Sequence, residues 1–444
     1  MTRSGIKNVI RYVVPAILSN ICFFLFTITD AVFIGRGIGT NALGAMNLIN
    51  PFILVMGAVN MLISIGGVAI YAVRIGRGDV EDANKIFRHG MLLVACVSLV
   101  FSFVGVFFTD EVCTMLGAGD TFHSYAADYL FCYSICIVPS ALYTALQQYC
   151  RNDGAPGLVS AVVIITTVCN IFGDWLLIFP MSWGVKGAAI ATDISQTLGM
   201  FAMLTHFIRR KGNLRFGKVK LETGIIKEIL IRGLPEGISQ LSTPIMSFCM
   251  NIVLISKVGD LGVNAFSVIT YVASFSMTVF LGASSGLQPL FGQSYGAENE
   301  RDLKFYFRTG LKISFVGSLV VTILIALFSR HICILFGTDA ATQSYILKVL
   351  PQFAAGFVVM AVNVMISAYL YSTERSLQAT SISALRSIVV DSVVILILPQ
   401  IFGEGVIWFS LLIYESIVLV FAVILLKHSE RNGICFKSKE KEVH

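Results

Sequence analysis

Twelve apolar stretches, each long enough to cross a bilayer, follow one another along this chain. They cover approximately residues 8–34, 45–73, 86–108, 122–148, 157–179, 185–208, 226–256, 263–292, 304–328, 342–371, 377–400 and 404–427. A helix needs roughly 20 residues, at about 1.5 Å each, to cross about 30 Å of hydrocarbon. Lipid offers backbone groups no partner, and the runs lack the alternation of strands, so helices are the only reading. Composition agrees: 13% of the residues are charged and 56% hydrophobic, where a soluble domain carries roughly 25% charge. A soluble enzyme of 444 residues is excluded. The expected fold is an all-α integral membrane protein with twelve transmembrane helices.

The sparse charge is placed by topology. With the N-terminus inside, 25 of the 32 Lys and Arg fall on the cytoplasmic side and only Arg36, Lys186, Lys257 and Arg330 on the outer side. That asymmetry puts both termini in the cytoplasm. The net charge of +6 therefore reflects orientation, and no nucleic-acid partner is expected. No cleavable signal peptide is expected, because the first apolar run continues for a full span. The ten cysteines form no CxxC pair or Cys/His cluster and read as small hydrophobes.

A shift of 220 residues brings unusual residues into register: Pro15 with Pro235, Gly39 with Gly259, Ser64 and Gly66 with Ser284 and Gly286, and Gly76 with Gly296. Asp82 meets Asp302, Phe87, Arg88 and Gly90 meet Phe307, Arg308 and Gly310, Gly117 meets Gly337, and Tyr149 meets Tyr369. Chance in a Leu/Val/Ile-rich chain would pair aliphatics, so these matches mark an internal duplication. Six spans per repeat is an even number, which gives both halves the same orientation and predicts two pseudo-symmetric six-helix bundles. The expected division is an N-lobe over 1–212, a cytoplasmic linker over 213–225, a C-lobe over 226–430 and a cytoplasmic tail over 431–444. Such a duplicated bundle is transporter architecture, and no enzymatic activity is expected.

Acids inside a membrane are expensive and mark function by default. Asp30 lies about four residues inside the outer end of the first span, roughly 6 Å at the helical rise. Asp174 lies at a similar depth in the fifth span, Asn170 sits one turn deeper on the same face, and Thr192 lies in the outer half of the sixth. Their oxygens can converge. Two carboxylates, an amide and a hydroxyl suit a hard cation such as Na⁺ or a shared proton; separate interhelical hydrogen bonds are the plainer alternative. Asp193 follows Thr192 and points about 100° away from it. Pro15 removes a backbone hydrogen bond from the first span, which eases bending there.

The second half carries a different set. Arg386 and Asp391 lie on the eleventh span and Glu415 near the middle of the twelfth, as a structural ion pair, a second coupling site or part of a substrate surface. The structural reading is preferred, because an unpaired Arg at that depth is costly. Glu236 lies nearer the cytoplasmic side with access to water, and Asp128 is close enough to its helix end to reach water. Gly35-Arg36-Gly37-Ile38-Gly39 follows a span rather than a strand and carries no dinucleotide reading.

The twelve spans in two repeats, Pro15 fifteen residues before Asp30, and Asn170-x-x-x-Asp174 followed by Thr192 in Gly187-Ala188-Ala189-Ile190-Ala191-Thr192 resemble the multidrug and toxic compound extrusion (MATE) transporters. The resemblance spans residues of about 8–430 and is closest to the bacterial DinF/MepA-like branch. It implies export of organic cations in exchange for H⁺ or Na⁺, with Asp30, Asn170, Asp174 and Thr192 as the proton or cation site and Pro15 as the bending point. It further implies a monomer in the bacterial cytoplasmic membrane that uses no cofactor beyond the coupling ion. The C-lobe glutamate of other branches has no match, and Glu236 stands at a different place in the seventh span. A flippase for lipid-linked oligosaccharide and an exporter of one dedicated metabolite are the alternatives.

Overall fold

A computed structural model describes residues 3–210, 212–240, 242–336 and 338–431. The tail beyond Arg431 and Gly337 of the repeat pairs lie outside the described residues. Among those described, the chain is helical and has no strand.

The first set of helices comprises Arg3–Gly37, Thr40–Gly76, Val80–Phe107, the pair Asp120–Ile135 and Ile137–Asn152, Pro156–Ile178 and Gly184–Ile208. The second comprises Thr223–Ser239 with Ser242–Lys257, Asp260–Gly296, Glu300–Leu335, Ala340–Ala354 with Gly356–Ser372, Ser376–Phe402 and Glu404 onward to Arg431. The start of every span in the second set falls 220 residues after its counterpart in the first. The duplication read from glycines and prolines is therefore a duplication of helix boundaries. Local chemistry repeats with it: Asp79 caps the third span by accepting from the Asp82 amide, and Asn299 caps the ninth by accepting from the Asp302 amide. Gly39 and Gly259 precede the second and eighth spans with φ of 125° and 77°, a region that favours glycine.

By length and apolar composition, ten described helices qualify as spans, and the bent pair Phe122–Ile135 and Ile137–Asn152 makes an eleventh. The sixth, Gly184–Ile208, has 25 residues, enough at the helical rise to cross. It is less apolar because it carries Lys186, Asp193, Ser195 and Gln196. Large apolar side chains such as Phe23, Leu99, Phe172 and Leu327 are exposed, the outward face of a protein dissolved in lipid. This is a multi-pass membrane protein.

Three features were not expected from sequence. The fourth span breaks at Cys136 with a bend of 58°, and the tenth breaks at the corresponding Ala355. A short helix, Thr109–Met115, follows the third span. The eleventh span contains a π-helical stretch, Leu385–Val390, a form often found at functional sites.

The chain divides into two units, Ile10–Gly233 and Leu234 onward with the first nine residues. The stretch 213–225, expected as a linker, packs against the first unit. Its Asn213 and Leu214 amides donate to Asp153 at 2.8 and 3.1 Å, and Asp153 also accepts from Tyr71 (2.7 Å) and His206 (2.8 Å). Asn84 accepts from the Arg215 amide at 2.6 Å, and Leu214 is buried. A four-bonded carboxylate satisfies backbone groups that would otherwise be left bare. Within the same unit the helix start at Thr223–Gly233 lies against the second span, where Gly66 meets the Ile229 carbonyl and Gly233 the Leu62 carbonyl so closely that neither has room for a Cβ.

Candidate functional site

In the first unit, an apolar cluster of Ile34, Ala45, Ile49, Tyr129, Tyr133, Ile178, Ala188 and Ala189 fills the half that is expected to face outward. The predicted polar residues lie beside it. Asn170 donates from Nδ2 to Thr192 Oγ1 at 3.3 Å, joining the fifth and sixth spans. Small residues make this approach possible: a Cβ on Gly173 would touch Ala191, and one on Gly187 would touch Leu177. Asp174 is fully buried one turn beyond Asn170, and its charge and that of Asp30 act on each other. All four residues therefore stand in one neighbourhood.

What distinguishes them is their missing partners. Asp30 Oδ1, Asn170 Oδ1 and both Asp174 oxygens are buried without a well-formed hydrogen bond, although the Asn170 side chain stands close enough to act on the Asp174 carboxylate. An ionised carboxylate in that condition costs several kcal/mol, so the arrangement favours a species that neutralises it. The oxygens suit a proton on either carboxyl, and with Thr192 Oγ1 they also suit the oxygen-ligand preference of a hard cation. Among the described residues, no three His, Cys, Asp or Glu side chains form a metal-ligand set; the cluster offers two carboxylates, an amide and a hydroxyl.

Sequence reasoning missed two neighbours. Tyr129, on the fourth span and almost fully buried, lies within the electrostatic reach of Asp30, Asp174 and Asp193. Tyr133 stacks on it at 5.9 Å, one turn away. The tyrosines at i and i+4 marked a helix face, but nothing in the sequence said that the face turns inward. Asp128 is ion-paired with Lys186 at 3.2 Å, both about half exposed.

Pro15 lies inside a helix that runs unbroken from Arg3 to Gly37. Its carbonyl accepts from Ser19 Oγ at 2.8 Å and from Ser160 Oγ of the fifth span at 2.6 Å, and the two hydroxyls are 2.9 Å apart. The second unit repeats the pattern: Pro235 accepts from Ser239 at 2.8 Å, and Ser239 lies 3.0 Å from Ser383 of the eleventh span.

The polar set of the second unit is organised around a buried pair. Arg386 Nε donates to Glu415 Oε1 at 2.8 Å, and Asn363 donates to Glu415 Oε2 at 2.7 Å and to its backbone carbonyl at 2.8 Å. Arg386 lies within the π-helical stretch and Asp391 directly follows it; the Asp391 charge acts on Arg386 without a hydrogen bond between them, its Oδ1 accepting from the Ser392 amide at 2.7 Å while Oδ2 has no partner. Glu236, read from sequence as lying nearer the cytoplasmic side with access to water, is half-buried and lines a pocket with Arg386, Ser239, Tyr371 and Ser383, accepting from Gln240 at 2.8 Å.

Comparison with known proteins places these residues in a family context. The sequence model of the MatE family matches residues 15–176 and again residues 235–397, two matches whose starts lie 220 residues apart. The multidrug export protein MepA of Staphylococcus haemolyticus is 24% identical over 436 residues, covering 96% of this chain and 94% of its own. An outward-facing multidrug resistance MATE family transporter of the MOP superfamily superposes with a TM-score of 0.90 at 21% identity, covering 97% of this chain and 96% of that one. A MOP superfamily transporter from Pyrococcus furiosus gives 0.89 at 21% identity, with 97% and 96% coverage. The twelve-helix architecture is thus shared with solved transporters along nearly the whole chain. With both repeats matched in register by one family model, this chain belongs to the MatE family of membrane transporters.

Proposed function

We propose that this protein is a secondary active efflux transporter that exports organic, cationic drugs or metabolites in exchange for H⁺ or Na⁺ by alternating access. On this reading it is a monomer in the bacterial cytoplasmic membrane with both termini inside, and it needs no cofactor beyond the coupling ion. The observation that carries the proposal is the pair Asp30 and Asp174, whose buried oxygens lack well-formed hydrogen bonds beside an apolar cluster. The relatives named as multidrug export proteins support it.

In the proposed cycle, a proton or Na⁺ enters from outside and neutralises the Asp30–Asp174 cluster. Neutralisation removes the field that held a cationic substrate, and the substrate leaves outward. Asn170 and Thr192 fix the position of Asp174, and the Pro15 segment of the first span, held to the fifth by Ser160, transmits the change. The ion is then released to the cytoplasm as the repeats exchange access. The flippase alternative needs a cationic site for a phosphate headgroup, whereas Arg386 is matched by Glu415.

The test is drug efflux in cells expressing Asp30→Asn and Asp174→Asn. Both variants are expected to insert and fold yet lose efflux. Normal efflux by both removes the proposed site.

A further inference from the structure

Asp193 takes no part in the cycle above, yet its surroundings resemble those of Asp174. It is 5% exposed, and its Oδ1 is buried without a hydrogen-bond partner. The sixth span packs against both the fourth and the fifth. Consecutive residues on a helix are turned by about 100°, so Thr192 meets Asn170 on the fifth span while Asp193 is directed at the fourth. There its charge reaches Tyr129, Tyr133 and Cys136, a stripe at i, i+4 and i+7.

The groups facing Asp193 are few. The fourth span presents Tyr129, Tyr133, Cys132 and Cys136. Asp30 of the first span and Asp174 of the fifth share Tyr129 with it. The only cation near this face among the described residues is Lys186, which is paired with Asp128. A structural carboxylate would be expected to spend its oxygens on donors; this one keeps a buried oxygen unspent.

We propose that Asp193 is a third proton-carrying carboxylate of the first unit's coupling site, joined to Asp30 and Asp174 through Tyr129. The inference rests on the transport reading and deepens it: the site exchanges an additional proton for each cationic substrate. A proton taken up on the Asp193 carboxylate from the outer solution leaves to the cytoplasm when substrate binds, so charge and protons balance over the cycle.

The experiment counts protons released when ethidium binds to the full-length protein in weakly buffered detergent solution, for wild type, Asp193→Asn, Asp193→Ser, Asp30→Asn and Asp174→Asn. Two Asp193 variants are used so that a folding failure of one, seen as loss of monodisperse elution, leaves the other. The expected result is that the Asp193 variants still bind ethidium but release about one proton fewer, and in proteoliposomes show a shallower dependence of exchange on pH. Counts equal to wild type, or a wild type that releases no proton, overturn the proposal. If Asp30→Asn and Asp174→Asn bind and exchange normally, the transport reading of the site fails; if only they are impaired, the third carboxylate alone fails.

Discussion

Asn170 spends its amide on Thr192 and leaves its carbonyl oxygen buried without a partner. One side chain thus ties two spans together and presents an acceptor to the site. Thr192→Val removes the acceptor for the amide while keeping the shape. A hydrogen bond of this kind contributes about 1 kcal/mol, so the expected outcome is roughly a fivefold weaker apparent affinity for the coupling ion. The check is the half-saturating ion concentration for exchange; a value unchanged from wild type counts against the positioning role.

Arg386 and Glu415 are buried together, and Asn363 completes the carboxylate. Removing one partner strands a charge at a cost of roughly 3–5 kcal/mol, whereas replacing both by apolar residues is close to neutral. Arg386→Met and Glu415→Leu are each expected to lower thermal stability sharply in detergent, and the double variant to recover most of it. Additive losses in the double variant would mean that the pair does not act as a unit.

Asp153 fastens the backbone of Asn213 and Leu214 outside the membrane spans. Burial by itself works against its ionisation, but the bonds from His206, Tyr71 and the two amides outweigh that and hold its carboxyl below the usual aspartate range. Because the folded value is depressed, this stabilisation is complete above about pH 4, the ordinary aspartate value. It fades as pH falls through the lower folded value. The Asn213 and Leu214 amides are therefore expected to resist hydrogen exchange near neutrality and to lose protection only in acid. Asp153→Ala should lose it at every pH.

Gly66 has no space for a side chain, because the Ile229 carbonyl and the Gly233 amide stand against it. Gly66→Ala forces the backbones apart, at a cost of about 1–3 kcal/mol. A lower melting temperature and a reduced yield of folded protein are expected. Unchanged stability would contradict the close helix contact.

The duplication was legible because glycines, prolines and caps are punctuation that apolar substitution does not imitate, and the helix starts follow the same offset. Asp30, Asn170, Asp174 and Thr192 were legible for a similar reason: depth and the i, i+4 rule fix which side of a helix they share. Asp193 was not, since a 100° step has no meaning until a neighbouring helix occupies that direction. The pocket that Glu236 shares with Arg386 and Ser383 was not legible, because it depends on the eleventh span, far along the chain. The break at Cys136 does have a signal, passed over in the sequence reading: Pro139 has no amide to donate to the Ile135 carbonyl.

The central claim, that the Asp30–Asp174 cluster couples an ion to export, is tested most directly in proteoliposomes loaded with ethidium and driven first by a pH gradient and then by a Na⁺ gradient. Wild type is expected to move ethidium against its gradient under at least one of them, and Asp174→Asn under neither. Gradient-driven movement by Asp174→Asn at the wild-type rate would contradict the account.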